Sequence, residues 1–234
     1  MSFHPIDLWT AEYEMGGIPS SARETPSGAV VWAYELLRQR EFLLRTAVDV
    51  GCGKGRNSLF LARQGMTVTA MDFIPDAIDH LNQTTRAEGL ESKIRAHRFD
   101  VTEPWPLEPA GADLVVDAFC FKHIIDSGER EAYKQSLIRT IRMRGHYLIS
   151  FASIGDGYYG RYVVRENEDG VQLAVDPANG IPSLLFDRDH IIRFFGPELD
   201  LYAEIHHNKP SAMHGRLYKR STYALLFQVN PKKP

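Results

Sequence analysis

The stretch that decides the fold is residues 47–57, Ala-Val-Asp-Val-Gly-Cys-Gly-Lys-Gly-Arg-Asn. A β-rich run at residues 46–50 predicts a buried strand, three glycines on alternate positions predict a tight turn, and residues 56–64 predict a helix. Glycine is needed where a ligand lies against the main chain, because a Cβ there would collide with it. The unpaired N–H groups at the start of the helix favour a carboxylate.

Strand and helix patterns alternate along the chain beyond this stretch. Strands are predicted at residues 67–71, 94–99, 113–118 and 147–151, and helices at residues 76–88 and after the capping pair Asp126 and Glu129. Gly65 is placed to cap the helix at residues 56–64 in a left-handed conformation, and Gly89 is placed to stop the helix at residues 76–88. Strands that alternate with helices at this spacing predict a doubly wound α/β domain with a parallel sheet. Its ligands should bind beyond the carboxyl ends of the strands.

The two ends of the chain add further elements to this domain. They are a helical cap over residues 1–45 with helices at 6–15 and 27–40, a substrate-side insertion over residues 155–186 with a β-hairpin formed by 162–165 and 171–175, and a helix that Asp187 caps and that ends at Gly196. The last strands are predicted at residues 201–205 and 223–229. Because a long connection and no clear helix separate them, we expect an antiparallel pair at one edge of the sheet. Residues 1–234 are expected to form one domain.

Composition and charge exclude several classes of protein. The chain has 234 residues, 44% of them hydrophobic, a formal net charge of −3 and two cysteines, which cannot build a disulfide framework. The histidines near the C-terminus have irregular spacing and no convergent carboxylate, so no metal site is expected. With no apolar run of roughly 20 residues, no secretory signal and no basic face, we expect a cytoplasmic protein that binds neither membrane nor nucleic acid. The densest basic stretch is interpreted mainly as solvated surface, with contact to an anionic substrate as the alternative; it comprises Lys209, Arg216, Lys219 and Arg220.

Two phosphate-binding patterns do not fit the glycine turn. A P-loop requires serine or threonine after its lysine, whereas Lys54 is followed by Gly55. A dinucleotide-binding turn requires G-x-G-x-x-G, whereas here the third glycine comes one residue early and Arg56 takes the final position. A nicotinamide-dependent dehydrogenase is therefore disfavoured.

Acidic residues end three successive predicted strands. Asp49 would repel a pyrophosphate at the glycine turn, but it would attract the α-ammonium group of S-adenosylmethionine (SAM), which carries no phosphate. Asp72 is placed to accept both ribose hydroxyls. Asp100 is placed to accept from the adenine amino group while Val101 covers the ring. Each acid alone could instead be a helix cap or a turn residue, and the set of three is what indicates SAM.

The segment of residues 46–151 resembles the class I SAM-dependent methyltransferases. Its G-R-N step at residues 55–57 is similar to the tellurite-resistance and thiopurine methyltransferase branch, and residues 213–216, Met-His-Gly-Arg, are similar to the end of the tellurite-resistance enzymes. The resemblance implies a Rossmann-like seven-stranded sheet whose last strand is antiparallel. It also implies SAM as cofactor, S-adenosylhomocysteine (SAH) as product and a small-molecule methyl acceptor. The residues expected at the cofactor are Asp49, Gly51, Gly53, Asn57, Asp72, Phe73, Asp100, Val101 and Phe119.

The acceptor side carries a weaker signal, because methyl transfer needs a base only when the nucleophile arrives protonated. The residues after the fourth strand, Asp-Ala-Phe-Cys at 117–120, lack the paired prolines of methyltransferases that act on planar nitrogens. Candidates for catalysis are His123, His207 and His214, and candidates for substrate binding are Trp9, Tyr13, Tyr158, Tyr159 and Arg161. A purely structural role is the alternative for these residues. A protein or RNA acceptor, or a non-catalytic SAM-binding subunit, is the alternative for the chain.

Overall fold

The computed structural model describes residues 5–230, with the main chain alone at Ala22. The helices in this range are α1 (Pro5–Met15), α2 (Pro19–Ala22), α3 (Gly28–Gln39), α4 (Arg56–Arg63), α5 (Pro75–Ala87), α6 (Ser127–Thr140) and α7 (Arg188–Phe195). The strands are β1 (Thr46–Val50), β2 (Thr67–Asp72), β3 (Ile94–Arg98), β4 (Ala112–Ala118), β5 (Ile141–Ala152), β6 (Val163–Glu166), β7 (Gln172–Val175), β8 (Pro182–Leu185), β9 (Leu199–Met213) and β10 (Arg216–Val229).

Seven of these strands form one sheet in the order β3-β2-β1-β4-β5-β10-β9. The neighbours from β3 to β5 are parallel, and β10 is antiparallel to both β5 and β9. The predicted doubly wound sheet with an antiparallel last strand is confirmed. Strand order reverses between β1 and β4, so the carboxyl ends of these two strands open a crevice where ligands bind in such folds.

Apolar side chains cover both faces of the sheet, because successive strand residues point to opposite faces. Leu114 and Val116 of β4 belong to the apolar layer that α3, α4 and α5 complete. Val115 belongs to the opposite layer, which α6 and α7 complete. The two layers hold β1 and β4 in register and therefore set the position of the crevice.

The predicted insertion contains a small antiparallel sheet in the order β6-β7-β8. Its first two strands correspond to the predicted hairpin. The third strand has no counterpart in the prediction, because it is four residues long and begins at Pro182, and proline is typical of a loop or an edge strand. A third apolar cluster joins this insertion to the N-terminal segment and the end of β9 through Ile18, Tyr159 and Met213.

The last two strands are much longer than predicted. Strands β9 and β10 pair from Leu199 opposite Val229 to Met213 opposite Arg216. Only residues 214 and 215 join the two strands. Both joining residues have positive φ, +46° and +75°, as tight hairpin turns require. The predicted long connection is therefore wrong, because its polar residues form the outer half of a hairpin. Residues 206–211 are polar or proline at every position, so no alternation of apolar and polar residues marks them as a strand.

Candidate functional site

The glycine turn after β1 has a left-handed backbone, and nearby atoms leave no room for a side chain on its glycines. Gly51, Gly53 and Gly55 have φ angles of +62°, +56° and +84°. A Cβ on Gly51 would lie 2.6 Å from the Sγ atom of Cys120, and a Cβ on Gly55 would overlap the side chain of Leu81. Side chains of the protein itself therefore restrict these positions to glycine, and the contact with a ligand that the sequence argument expects stays a prediction.

Asp49 is fully buried beneath this turn. Its Oδ2 atom accepts a hydrogen bond of 2.6 Å from the Oγ of Ser58, and its Oδ1 atom has no partner among the described residues. Burial raises the pKa of Asp49 to about 6. A buried oxygen without a donor is costly, and a cationic donor brought to the crevice would offset that cost.

Asp72 and Asp100 differ in what they do at their strand ends. Asp72 is buried, and its two oxygens accept from the backbone N–H groups of Gly53 and Ile74 at 2.8 and 2.9 Å. Burial also raises its pKa. Asp100 is exposed and accepts from the backbone and hydroxyl of Thr102, which makes it a turn residue in this structure. Asp72 thus closes the glycine turn while it lines the crevice.

A small cavity of about 70 Å³ lies between the glycine turn and the ends of β2 and β4. Among the described residues, its lining includes eight of the predicted site residues: Trp9, Tyr13, Gly51, Asp72, Phe73, Val101, Phe119 and His123. Helix α1 narrows this cavity, because the hydroxyl of Tyr13 occupies the space where a Cβ of Gly53 would stand. Small-ligand sites are typically about 300–1,000 Å³, so a nucleoside enters only if α1 shifts.

A larger cavity of about 350 Å³ adjoins the small one. Ser20, Phe119 and His123 line both cavities. Phe119 has a φ of +75°, which is strained for a residue with a side chain and which lies in the turn directly after β4. The larger cavity extends from this junction to the outer half of the β9–β10 hairpin.

His123 is oriented at the junction by the insertion. Its Nδ1 atom lies 2.8 Å from the carbonyl oxygen of Pro182, and its ring packs edge-on against Trp9. A carbonyl only accepts, so this contact places the proton on Nδ1 and leaves the lone pair of Nε2 free. Burial lowers the pKa of His123 well below its ordinary value and keeps the ring neutral.

Among residues 5–230, five cationic side chains and no aspartate or glutamate line the larger cavity. The five are Arg23, Arg56, Lys122, Lys209 and Arg220. Lys122 was not recognised as a site residue because lysine in a turn usually indicates solvent exposure. Arg220 and Lys209 are paired across the hairpin and belong to the basic stretch that the sequence interpretation assigns mainly to solvated surface. Arg220 is buried and Lys209 is exposed at the rim of the cavity, and contact of these two residues with an anionic substrate stays a prediction.

The remaining predicted residues divide between this cavity and structural contacts. His207 and Tyr159 line the larger cavity. Asn57 lines neither cavity, and its Oδ1 atom accepts from the backbone N–H of Ser27 at 2.9 Å, which ties the start of α3 to the start of α4. Arg161 also lines neither cavity, and its guanidinium packs on the ring of Tyr218.

His214 and Tyr158 meet at Asp176 and lie outside both cavities. The Nε2 atom of His214 is 3.0 Å from Asp176 Oδ2, and the hydroxyl of Tyr158 donates to Asp176 Oδ1 at 2.6 Å. The backbone N–H of His214 donates to Gly17. This cluster joins the hairpin turn to the insertion and the N-terminal segment.

Replacing His214 with asparagine should lower the free energy of unfolding by about 1–2 kcal/mol, the cost of one buried hydrogen bond to a carboxylate. Asparagine tolerates positive φ, so the backbone of the turn adds little to that loss. His207→Asn is the matched control, because His207 lines the cavity and should leave stability within about 0.5 kcal/mol. Urea unfolding of both variants measures the difference, and equal stability of the two would contradict the structural role of His214.

Two arrangements are not found among residues 5–230. No three His, Cys, Asp or Glu side chains lie together as metal ligands there. None of the helices in this range has the length and apolar character that crossing a membrane requires.

Comparison with known proteins identifies relatives of the segment that contains the glycine turn. Residues 47–145 match the family described as Methyltransferase domain. The ubiquinone biosynthesis O-methyltransferase of Xylella fastidiosa (strain M23) is 40% identical over 81 residues, which are 34% of this chain and 31% of that protein. The probable S-adenosyl-L-methionine-dependent methyltransferase TehB of Haemophilus influenzae (strain 10810) is 46% identical over 84 residues, 36% of this chain and 25% of that protein. The chain therefore matches less than a third of the length of these relatives.

The fold as a whole is similar to that of a solved enzyme. The 1,6-didemethyltoxoflavin-N1-methyltransferase of Burkholderia thailandensis, whose structure contains 1,6-didemethyltoxoflavin and SAH, superposes with a TM-score of 0.69. The superposition covers 96% of this chain and 87% of that one at 16% sequence identity. At this identity the similarity concerns the fold.

Proposed function

We propose that the chain transfers the methyl group of SAM to a small-molecule acceptor, from the premise that residues 47–145 match the family described as Methyltransferase domain and resemble the class I SAM-dependent methyltransferases. The observation that carries the proposal is the junction of the two cavities at Phe119 and His123. A cofactor on one side of that junction and an acceptor on the other would meet at these two residues.

The cofactor side offers groups that fit SAM. Asp49 lines neither cavity, but it is buried beneath the glycine turn, and its Oδ1, which has no partner among the described residues, suits an α-ammonium group that reaches this turn. Asp72 lies at the cavity wall where a ribose would accept and donate hydrogen bonds. Phe73 and Val101 supply apolar surface for the adenine ring. Gly51 and Gly53 let the main chain approach the ligand. Asn57 supports this site by linking the start of α4 to the start of α3. Asp100 stabilises the turn that places Val101 at the cavity.

SAM supplies an activated methyl group, so the chain's own residues mainly align the acceptor and exclude water. His123 is suited to take a proton from an acceptor that arrives protonated, because its neutral ring keeps Nε2 free at the junction. His207 and Tyr159 contribute to the acceptor cavity. Its volume of about 350 Å³ lies in the range of small-ligand sites and favours a small molecule over a protein or RNA acceptor.

Isothermal titration calorimetry tests the cofactor assignment. SAM and SAH should each bind at one site with a dissociation constant on the order of 10 μM, and NAD should give no heat at the same concentration. Binding of NAD in place of SAM and SAH would end the proposal.

The same titration followed by tryptophan fluorescence tests the movement of α1. Trp9 lines the small cavity, so SAH should change its emission as the helix shifts. The change should disappear in Trp9→Phe and persist in Trp105→Phe, because Trp105 is buried and lines neither cavity. If SAH changes the emission of Trp9→Phe as much as that of the wild type, the surroundings of Trp9 do not change on binding, and helix α1 stays where it is.

A further inference from the structure

We propose that the methyl acceptor is a small organic anion and that Lys122 and Ser150 hold its anionic oxygen at the wall of the larger cavity. The inference rests on the proposed function, since it names the class of acceptor for the same site. It goes beyond that function because methyl transfer by itself requires no charge on the acceptor.

The charge of the cavity wall differs from the charge of the whole protein. The chain carries a formal net charge of −3, whereas the described residues that line the larger cavity include five cations and no carboxylate. Arg220 is neutralised by Asp156, whose Oδ2 lies 2.7 Å from its Nε. Within the described part of the chain, the other four cations have no carboxylate within 4 Å, so the cavity keeps a positive field that attracts anions.

Lys122 is the most buried of the four cations that lack an ion pair. It is 2% exposed, and its Nζ donates to the hydroxyl of Ser183 at 2.9 Å and stands 4.0 Å above the ring of Tyr159. Hydroxyl and ring satisfy a charged ammonium only partly. Buried lysines are normally paired with a carboxylate, so the missing partner in a ligand cavity indicates that a ligand supplies it.

Ser150 is a second polar group in the same wall that lacks a partner. It lies in the buried part of β5, is 2% exposed, and its Oγ has no hydrogen-bond partner among the described residues. A buried hydroxyl without a partner costs free energy until a ligand or water completes the bond. Both groups can donate, which matches an acceptor that brings oxygens with lone pairs rather than N–H groups.

The charges around Lys122 make anion binding depend on pH. The pKa of Lys122 is lowered to about 7, mainly by burial and next by the charge of Arg220, while Asp156 and Asp176 act in the opposite direction. His123 stays neutral, and Tyr159 presents only its ring face. An anion beside Nζ would favour the ammonium form, so binding above pH 7 should take up a proton.

A binding experiment on the SAH-saturated protein tests the acceptor class. Benzoate and phenyl phosphate serve as anionic probes and benzamide as the neutral isostere of benzoate, followed by the emission of Trp32 in the cavity wall. At least one of the two anions should bind ten times more tightly than benzamide. Lys122→Met should reduce that preference below threefold, and Lys93→Met should keep it, because Lys93 is a half-buried lysine that lines neither cavity.

Calorimetry in two buffers of different ionisation enthalpy gives a readout that a structural role of Lys122 would not move. At pH 8 the wild type should take up a proton on binding the preferred anion, by the argument from its lowered pKa. Lys122→Arg should keep the preference without proton uptake, because arginine stays charged. Equal affinity for anions and benzamide in SAH-loaded protein, or a preference that survives Lys122→Met, would overturn the inference. Failure of SAH itself to bind would instead overturn the proposed function.

Discussion

Replacing Gly51 with alanine should weaken SAH binding at least tenfold and lower the free energy of unfolding by more than about 2 kcal/mol. The left-handed backbone at φ +62° costs about 1–2 kcal/mol for a residue with a Cβ. The added Cβ would also lie 2.6 Å from the Sγ and 2.7 Å from the Cβ of Cys120, so the turn after β4 must shift. That turn and Gly51 line the small cavity together, and its shape would change with them.

Gly89→Ala separates backbone strain from the contact. Gly89 has a φ of +67°, and no atom lies within 4 Å of the place where its Cβ would stand. The Gly89→Ala variant should therefore lose only the stability that the strained backbone costs, about 1–2 kcal/mol, and it should bind SAH as the wild type does. Urea unfolding and calorimetry with SAH measure both quantities. Equal stability loss in the two variants, with SAH affinity intact in Gly51→Ala, would show that the glycine turn does not contact the cofactor.

The parts of the fold that the sequence predicts well are those governed by local rules. The strands around the glycine turn are short, apolar and bounded by glycine, so their positions follow from periodicity and turn chemistry alone. Gly65 and Gly89 both have positive φ after helices α4 and α5, as expected for helix ends. Asp126 caps α6 through Gly128 and Glu129, again a local contact.

The parts that the sequence does not predict depend on tertiary contacts. The outer half of the β9–β10 hairpin reads as a polar connection, and only its pairing across His214 and Gly215 reveals a strand. Lys122 looks like an exposed turn residue until the insertion covers it with Ser183 and Tyr159. The predicted site residues that line neither cavity also have roles set by tertiary contacts. His214, for example, contacts Asp176 of the insertion.

Replacing Asp117 with alanine should destabilise the fold by about 3–5 kcal/mol. The carboxylate is fully buried at the end of β4 and accepts from the backbone N–H groups of Cys120 and Phe121 and from the hydroxyl of Tyr133, at 2.8, 2.9 and 2.8 Å. Alanine leaves the two backbone N–H groups without an acceptor, and Tyr133 keeps only its 3.2 Å contact with the hydroxyl of Tyr147. Asp126→Ala is the matched control, because Asp126 also accepts from two backbone N–H groups but lies in solvent, and should cost about 1 kcal/mol.

The pH dependence of the Asp117 contribution gives an independent check. Burial raises the pKa of Asp117 to about 7, against roughly 3.9 for an aspartate in the unfolded chain. A raised pKa means that the folded protein holds the proton more tightly, so the stability from this group is complete below pH 4 and declines as the pH rises through 7. The stability gap between wild type and Asp117→Asn should therefore narrow from pH 4.5 to pH 8 in urea unfolding. Asp49 is present in both proteins, but its charge also raises the pKa of Asp117, so the narrowing of the gap reports the two coupled groups together. A gap that widens with pH would mean that Asp117 is held as a carboxylate by its three donors, and the proton would then have no part in stabilising the turn that carries Phe119.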